Sequence, residues 1–192
     1  MTKIESALQR TTDTKDLIIG AGVVSRTAEM FTRLFPGQKA VIVADLNTWE
    51  VAGKAVHKSL AKAEVQQEEP FIFMDKDLYA EWKYVEELQA YLHDLNAIPV
   101  AVGSGVINDL TKYVSHTLGL RYMCVGTAAS MDGYTAYGSS ITINGNKQTV
   151  DCPAPYGFIM DSEIAAAAPK ELAASGYADL IAKIPAGADW ML

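Results

Sequence analysis

The sequence has few residues of the kinds that cross-link a chain or bind a metal, and it has no long apolar run. Only two cysteines and three histidines occur in 192 residues. Cys124 and Cys152 lie too far apart for a zinc motif, so we expect two reduced, buried thiols. The longest apolar runs, such as residues 40–44, fall far short of the roughly 20 residues that span a bilayer. Disulfide-rich, zinc-finger and membrane-spanning proteins are therefore excluded.

Positive charge is also scarce. Lys and Arg number 16 against 23 Asp and Glu, which gives a net charge of −7 and a pI near 4.9. This charge balance disfavours nucleic acid as a partner. The N-terminus lacks the apolar core of a signal peptide, so we predict a soluble, cytoplasmic protein without a membrane partner. With 49% hydrophobic residues, the chain can build one domain, or one domain and part of another.

The hydrophobic pattern predicts an α/β fold. Short β-branched runs alternate with amphipathic stretches, as a parallel sheet with crossover helices requires. In one stretch, Trp82, Val85, Leu88, Leu92 and Leu95 recur at helical spacing and form one apolar face. The predicted strands are 17–20, 39–45, 70–74, 98–103 and 121–125, and the predicted helices are 25–35, 48–62, 81–95 and 104–118.

The pattern changes after the fifth strand. Residues 137–150 alternate around an Asn-Gly pair at 144–145, which is typical of a tight antiparallel hairpin that leaves the main sheet. From Ser162 onward the sequence is rich in alanine and predicts helices, with a break at Ser175-Gly176. The α/β body is therefore followed by a helical segment.

A glycine-rich turn follows the fourth predicted strand. The sequence VAVGSGVIND runs from a buried strand through glycines into a helix. Glycines at such a junction let the backbone approach a pyrophosphate, and free N–H groups at the helix N-terminus favour its negative charge. Position 108 is Asn, so the GxGxxG pattern is not met, and a turn with only a packing role is the alternative. The candidate pyrophosphate-binding residues are Gly103, Ser104, Gly105, Val106, Ile107, Asn108 and Asp109.

Two further features lie at the carboxyl ends of predicted strands. Asp45 ends the second strand, where a carboxylate can accept hydrogen bonds from the ribose of a dinucleotide. The alternative role, an N-cap for the next helix, is better served by Asn47 or Thr48. After the fifth strand, small side chains leave room for a flat ring or a phosphate, and Asp132 offers a partner for a polyol hydroxyl. An ordinary polar loop would look similar. The candidate cofactor-binding residues there are Thr127, Ala128, Ala129 and Ser130.

Asp179 lies near the start of the last predicted helix. A carboxylate there can simply complement the helix dipole. As a metal ligand it would need partners such as histidine, but His57, His93 and His116 all fall on predicted helices of the α/β body. The residues themselves leave both roles open.

Three sequence blocks together resemble the glycerol-1-phosphate dehydrogenase branch of the iron-containing alcohol dehydrogenase, glycerol dehydrogenase and dehydroquinate synthase superfamily. The blocks are GSGVINDLTKYVSHTLG, GTAASMDGYTAYGSS and PKELAASGYADLIAKIPAGADW, and the resemblance covers residues 17–192. It implies a Rossmann-like domain over residues 1–161 that binds NAD or NADP. It also implies that residues 162–192 begin an all-helical metal-binding domain, which is incomplete because the family's two metal-binding histidines would lie further along.

The resemblance also implies a role for each candidate residue. The glycine turn would hold the cofactor pyrophosphate, and the segment 127–130 would lie along its nicotinamide half. Asp45 would face the adenosine ribose, Asp132 would contact the substrate, and Asp179 would be catalytic, binding both metal and substrate. The implied reaction is hydride transfer between glycerol 1-phosphate and dihydroxyacetone phosphate, with one divalent ion (Zn, Ni or Fe) as Lewis acid. The full-length enzyme would be a homodimer, and this part alone would be inactive.

Two departures and two alternatives accompany this interpretation. Ala178 and Ala136 stand where the family commonly has Gly and Ser. One alternative is a nucleotide-binding module without catalysis that acts through a partner. The other is a dehydroquinate synthase-like lyase, whose substrate pocket takes several basic residues from a later region. The hairpin and the SMDG sequence favour the dehydrogenase branch.

Overall fold

The computed structural model describes residues 3–191 and confirms the α/β fold. Six strands form a fully parallel sheet, and two others form a separate antiparallel hairpin, as predicted. The strands are β1 (Asp16–Gly20), β2 (Lys39–Asp45), β3 (Phe71–Phe73), β4 (Ala97–Gly103), β5 (Met123–Gly126), β6 (Ser139–Ile143), β7 (Asn146–Val150) and β8 (Gly157–Asp161). The sheet order is β1-β8-β5-β4-β2-β3, and the hairpin consists of β6 and β7.

Helices connect the parallel strands and cover both faces of the sheet. They are α1 (Lys3–Leu8), α2 (Thr27–Leu34), α3 (Leu46–Thr48), α4 (Lys54–Lys62), α5 (Trp82–Leu92), α6 (Gly105–Thr117), α7 (Ser162–Ala167) and α8 (Lys170–Trp190). A 3₁₀ turn (Val23–Arg26) precedes α2, and a π-helical turn (Trp49–Gly53) precedes α4. Within residues 3–191, no helix combines the length and the apolar character needed to cross a membrane.

The core has two halves, one on each face of the sheet. On one face α5, α6 and β6 pack around the fully buried side chains of Leu88, Ile107 and Ile141. On the other face α2 and α4 pack around Phe31 and Leu60, which are equally buried. Strands covered on both faces are apolar along their buried length, as residues 40–44 of β2 show. This arrangement leaves the carboxyl ends of the strands as the place where loops can form a site.

Local turn chemistry agrees with the predicted stops. Gly37 and Gly119, which follow α2 and α6, have φ values of 73° and 68°, in the left-handed region that favours glycine. Asn144 and Gly145 have φ values of 51° and 76°, as the tight turn between β6 and β7 requires. Both cysteines are buried free thiols, which confirms that prediction.

One strand was not predicted. β8 lies between β1 and β5 and pairs in parallel with both. Its sequence, GFIMD, shows no alternation because almost all of it is buried. A short apolar run of this kind cannot be assigned from periodicity alone.

The predicted helix break at Ser175-Gly176 is wrong. α8 continues without interruption from Lys170 to Trp190 and includes Pro185. Gly176 serves a close approach instead, because a Cβ atom there would overlap the carbonyl oxygen of Ala129 in the loop after β5. The glycine therefore marks the point where α8 packs against the α/β body.

The second half of α8 is exposed. The helix has no buried residue, and Leu180, Ile184 and Trp190 are 59%, 74% and 95% exposed. Its first half contacts the α/β body at Gly176 and Asp179. The proposed boundary between domains at residue 161 stays a prediction.

Substitution of Gly176 tests how α8 is held. We expect Gly176→Ala to displace the helix, because the added methyl group overlaps the Ala129 carbonyl oxygen. Amide hydrogen exchange of Asp132, whose N–H donates to Asp179 on α8, should accelerate by about tenfold or more.

Gly187→Ala is the matched control in the same helix. Nothing lies within 4 Å of a Cβ atom at Gly187, so alanine there should only add helix propensity, about 1 kcal/mol. Unchanged exchange at Asp132 in Gly176→Ala would show that the close approach does not hold α8.

Candidate functional site

The predicted binding segments lie at the carboxyl edge of neighbouring strands. β4 pairs with β2 on one side and with β5 on the other. The glycine turn follows β4 and the segment 127–130 follows β5, and the N–H of Thr127 donates to the carbonyl oxygen of Gly103 at 3.0 Å. The structure thus brings these two segments together at the edge where such sheets bind ligands.

The helix after the glycine turn begins with free N–H groups. Ser104 occupies the N-cap position of α6 but makes no side-chain cap hydrogen bond. In contrast, Asp45 caps α3 and Asp161 caps α7. The first-turn N–H groups of α6 are therefore available to an anion, as a pyrophosphate requires.

The glycines of this turn also serve packing. A Cβ atom on Gly103 would lie 2.5 Å from Ile107, and one on Gly105 would lie 2.8 Å from the sulfur of Met131. Neither glycine has a positive φ. The glycines thus have the packing role that the sequence left as an alternative. This role does not occupy the N-terminal N–H groups of α6.

Several side chains of the predicted set point into the protein. Ile107 is fully buried in the core, and Asn108 accepts a hydrogen bond from the buried Tyr122 hydroxyl at 3.0 Å. Ala128 is buried, and its carbonyl oxygen accepts from the Tyr134 hydroxyl at 2.7 Å. Around this turn, a ligand would meet backbone groups more than side chains.

Asp45 is the N-cap of α3, so the assignment of that role to Asn47 or Thr48 is wrong. Its Oδ1 accepts from the N–H groups of Asn47 and Thr48, both at 2.8 Å. The Thr48 hydroxyl accepts in return from the Asp45 N–H, which completes a capping box. Both cap bonds fall on Oδ1, so Oδ2 takes no part in the cap. The ribose role of Asp45 stays a prediction.

A polar cleft lies between α6, the hairpin and α8. It consists of two adjoining cavities of about 650 Å³ and about 450 Å³. Ser104, Gly105 and Val106 line the smaller cavity, and Asp179 lines the larger one. The residues that line both are Asp109, Ser130, Met131, Ser140, Lys147 and Ser175. Asp45 lines neither cavity.

Asp132 and Asp179 are in contact although 47 positions separate them, and of the two only Asp179 lines the cleft. The N–H of Asp132 donates to Asp179 Oδ2 at 3.0 Å. Lys183 Nζ lies 3.2 Å from Asp132 Oδ2 and 3.6 Å from Asp179 Oδ1. The hydrogen bond from the Asp132 backbone, together with Lys183, holds the pKa of Asp179 below its usual range. The Asp179 carboxylate is therefore ionised at neutral pH.

The described residues do not form a complete metal site. Within residues 3–191, no three His, Cys, Asp or Glu side chains are grouped to hold an ion. Asp132 and Asp179 offer hard oxygen ligands, but both already pair with Lys183. The role of Asp179 as a metal ligand stays a prediction, and these residues assign no chemical step to a metal.

Lys112 is a buried cation that sequence reasoning missed. Its side chain is 1% exposed and donates to the carbonyl oxygens of Gly133, Ala136 and Gly138 at 3.4, 3.0 and 2.9 Å. Burial lowers its pKa, while the nearby Asp109 raises it. Lys112 thereby fixes the segment between Asp132 and the hairpin. In the sequence, Lys112 is only a lysine within an amphipathic helix, and such lysines are usually exposed to solvent.

Asp109 has an unusual environment for a carboxylate. Burial raises its pKa to about 6, although Lys112, the Ser140 N–H and Lys147 all favour the ionised form. It lines both cavities of the cleft. A group that titrates near neutrality in a cleft is typical of functional sites.

Asp161 is a second buried group that was missed. It accepts hydrogen bonds from the N–H groups of Gly22, Val24 and Glu163 at 3.2, 3.0 and 3.1 Å. Burial opposes its ionisation, but these bonds outweigh burial and lower its pKa. It was missed because it ends β8, the strand that periodicity does not predict. Asp161 orders the loop after β1 at the same edge of the sheet.

Fold and site together define a Rossmann-like α/β protein with an anion-accepting helix N-terminus at the carboxyl edge. The family model described as iron-containing alcohol dehydrogenase matches residues 18–169. The chain belongs to this family of oxidoreductases, and the predicted resemblance is confirmed.

Individual relatives agree with this assignment. The glycerol-1-phosphate dehydrogenase (NAD(P)+) of Methanosarcina barkeri is 34% identical over 178 residues, which are 93% of this chain and 49% of the relative. The enzyme of that name from Geobacillus thermodenitrificans is 32% identical over 157 residues, 80% of this chain and 38% of the relative. The chain therefore spans about half the length, or less, of these curated relatives.

Solved structures show the same fold. An iron-containing alcohol dehydrogenase from Thermotoga maritima superposes with a TM-score of 0.75 at 18% identity, covering 85% of this chain and 50% of that one. At this identity the match bears on the fold alone. It confirms the predicted Rossmann-like architecture.

Replacement of Lys112 tests its role in fixing the loop. We expect Lys112→Met to lower the free energy of unfolding by about 2–3 kcal/mol, because three carbonyl oxygens lose a charged donor. Lys112→Arg, which keeps the charge, should lose less. Urea unfolding measures the difference, with the exposed Lys62→Met as control, expected within about 0.5 kcal/mol of the parent. Equal stability of Lys112→Met and Lys62→Met would contradict this role.

The titration of Asp109 can be measured directly. Its pKa is about 6 in the folded chain, against an ordinary value of 3.8, so the folded state retains a proton that the unfolded state has lost. Stability should therefore fall as the pH rises from about 4 to about 6, and then level off. NMR of the Asp109 carboxyl carbon checks the midpoint, and Asp109→Asn should abolish this part of the pH dependence. A midpoint near 4 would contradict the prediction.

Proposed function

We propose that this chain is the dinucleotide-binding part of an NAD(P)-dependent oxidoreductase that interconverts glycerol 1-phosphate and dihydroxyacetone phosphate. Family membership and the printed names of its relatives support this assignment. The observation that carries it is the contact of Asp132 with Asp179, which lines a cleft that the free N-terminus of α6 also borders. A polyol-binding pair of carboxylates thus adjoins an anion-binding helix end.

The described residues fit a dinucleotide. The first-turn N–H groups of α6 would hold the pyrophosphate, and Asp45 Oδ2 would accept from a ribose hydroxyl. The segment 127–130 would lie along the nicotinamide half, with Ser130 as the hydroxyl that lines the cleft. The cofactor, NAD or NADP, supplies the hydride chemistry when bound.

The substrate would lie in the larger cavity. The carboxylates of Asp132 and Asp179 can accept hydrogen bonds from polyol hydroxyls. Lys183 holds both carboxylates in place and limits their mutual repulsion. The α8 helix and the hairpin flank the cavity.

The division of the chain belongs to this proposal. Residues 1–161 would form the dinucleotide-binding domain, and residues 162–192 would begin a helical domain. Asp179 would be one ligand of a divalent ion (Zn, Ni or Fe), with histidines outside these residues as the others. Support comes from the two carboxylates at the cleft and from the length of the relatives. Free buried thiols and the acidic charge agree with a cytoplasmic location; a homodimer of the whole enzyme rests on the resemblance only.

The second candidate is a nucleotide-binding module without catalysis. The ion pairs of Lys183 with both carboxylates favour it, because they satisfy the two groups without a metal or a substrate. Turnover of dihydroxyacetone phosphate with NAD(P)H by the protein would exclude this candidate. The printed names of the relatives favour a dehydrogenase over a lyase.

A substitution at the N-cap of α6 tests cofactor binding. Ser104→Asp places a carboxylate where it caps the helix, so it should maintain or raise stability. The same carboxylate occupies the free N–H groups and repels a pyrophosphate. We expect the affinity for NADH, measured by fluorescence titration, to fall by about tenfold or more.

Ser104→Asn is the matched control, since its amide caps the helix without a charge. It should weaken NADH binding less than Ser104→Asp does. If both variants bind NADH as the parent does while remaining folded, the glycine turn is not the pyrophosphate site. If the parent chain binds neither NADH nor NADPH, the proposed function fails.

A further inference from the structure

The hairpin presents one polar face to the cleft. Across its ladder Ser140 pairs with Thr149, and Thr142 pairs with Lys147. Because side chains alternate along a strand, these four residues share one face, which we call the hairpin face. All four line the cavities of the cleft. The opposite face carries Ile141, which is fully buried in the core.

Lys147 is the cleft lysine without a protein partner. Lys183 forms ion pairs with Asp132 and Asp179. The buried Lys112 gives its hydrogen bonds to backbone carbonyl oxygens. Within residues 3–191, Lys147 makes no hydrogen bond and no ion pair closer than 4 Å. Its positive charge is therefore available to a ligand, in a chain whose net charge is −7.

Asp109 is an acidic residue whose carboxylate is attracted to Lys147, but this attraction leaves the charge of Lys147 largely uncompensated. The effect of Lys112 on its carboxylate is larger than that of Lys147, and the Ser140 N–H also donates to it. Asp109 is thus compensated mainly from α6 and from the backbone. Lys147 has only a weaker, longer-range attraction to it.

We propose that the hairpin face binds a phosphate group, with Lys147 as the residue that selects a phosphorylated polyol over the free alcohol. A lysine ammonium recognises a phosphate as a compact charge with three donors, and neighbouring hydroxyls can complete the set. Ser140 and Thr149 supply such hydroxyls in the larger cavity. The inference rests on the proposed function, which it deepens by assigning the phosphate end of the substrate.

The phosphate could belong to the substrate or to the cofactor, and the cavities favour the substrate. Lys147 and Thr149 line the larger cavity together with Asp179, so a phosphate on the hairpin face and a hydroxyl at Asp179 fit one small molecule. The N-terminus of α6 offers separate donors for a pyrophosphate. Lys147 also borders the smaller cavity beside Ser104, so the experiment includes the cofactor.

The test compares three probes on the 192-residue chain: inorganic phosphate, glycerol 1-phosphate and glycerol. Amide NMR should show shifts at residues 140–149 with the first two probes and not with glycerol. We expect Lys147→Met to weaken binding of glycerol 1-phosphate by about tenfold or more. Lys147→Arg, which keeps the charge, should retain most of the parent's affinity. NADH affinity should stay within about twofold of the parent.

Lys62→Met is the matched control, because it removes the same charge at the end of α4, away from the cleft. It should leave binding of all probes unchanged. The inference is overturned if phosphate shifts no residue of the hairpin, if Lys147→Met and Lys62→Met act alike, or if Lys147→Met weakens NADH and leaves glycerol 1-phosphate unaffected. Phosphate shifts at the hairpin without NADH binding would instead contradict the proposed function, while they would still support a phosphate site on the hairpin face.

Discussion

A single buried lysine links the parts of the molecule on which its site depends. Lys112 on α6 is held by three carbonyl oxygens between Asp132 and the hairpin. An unpaired ammonium in this position would be costly, so the loop must keep its carbonyl oxygens turned inward. That constraint fixes where the hairpin leaves the body and where Asp132 faces α8. Both walls of the cleft therefore depend on one charge in the core.

Charge is distributed unevenly around the cleft. On the α8 side, Lys183 offsets one of the two carboxylate charges, so this group of three side chains remains negative overall. On the hairpin side, Lys147 is a cation beside hydroxyls, and Asp109 is partly neutral near pH 6. The free N-terminus of α6 adds partial positive charge between them. An acidic protein thus has one region in which anions are favoured.

Regular patterns were readable from the sequence, and local exceptions were not. Apolar periodicity and turn residues predict five of the six sheet strands, the hairpin and the helices α2, α4, α5 and α6, but not the short helices α1 and α3. β8 was not predicted, because its five residues are mostly buried and show no alternation of apolar and polar side chains. Gly176 was interpreted as a helix break, because a close approach to Ala129 is visible only in three dimensions. Local preference favours Asn47 or Thr48 as the N-cap of α3, but the end of β2 directs the Asp45 carboxylate to the N–H groups of those two residues.

The site shows the same division. The meeting of the segments after β4 and β5 follows from parallel topology, and the sequence therefore anticipated it. The contact between Asp132 and Asp179 was expected only through family resemblance, because no periodicity relates residues 47 positions apart. The α8 helix that makes this contact meets the body at Gly176, Asp179 and Lys183, which share one face of the helix. Because a helix moves as a rigid rod over so short a stretch, a ligand that displaces Asp179 would shift all three contacts together.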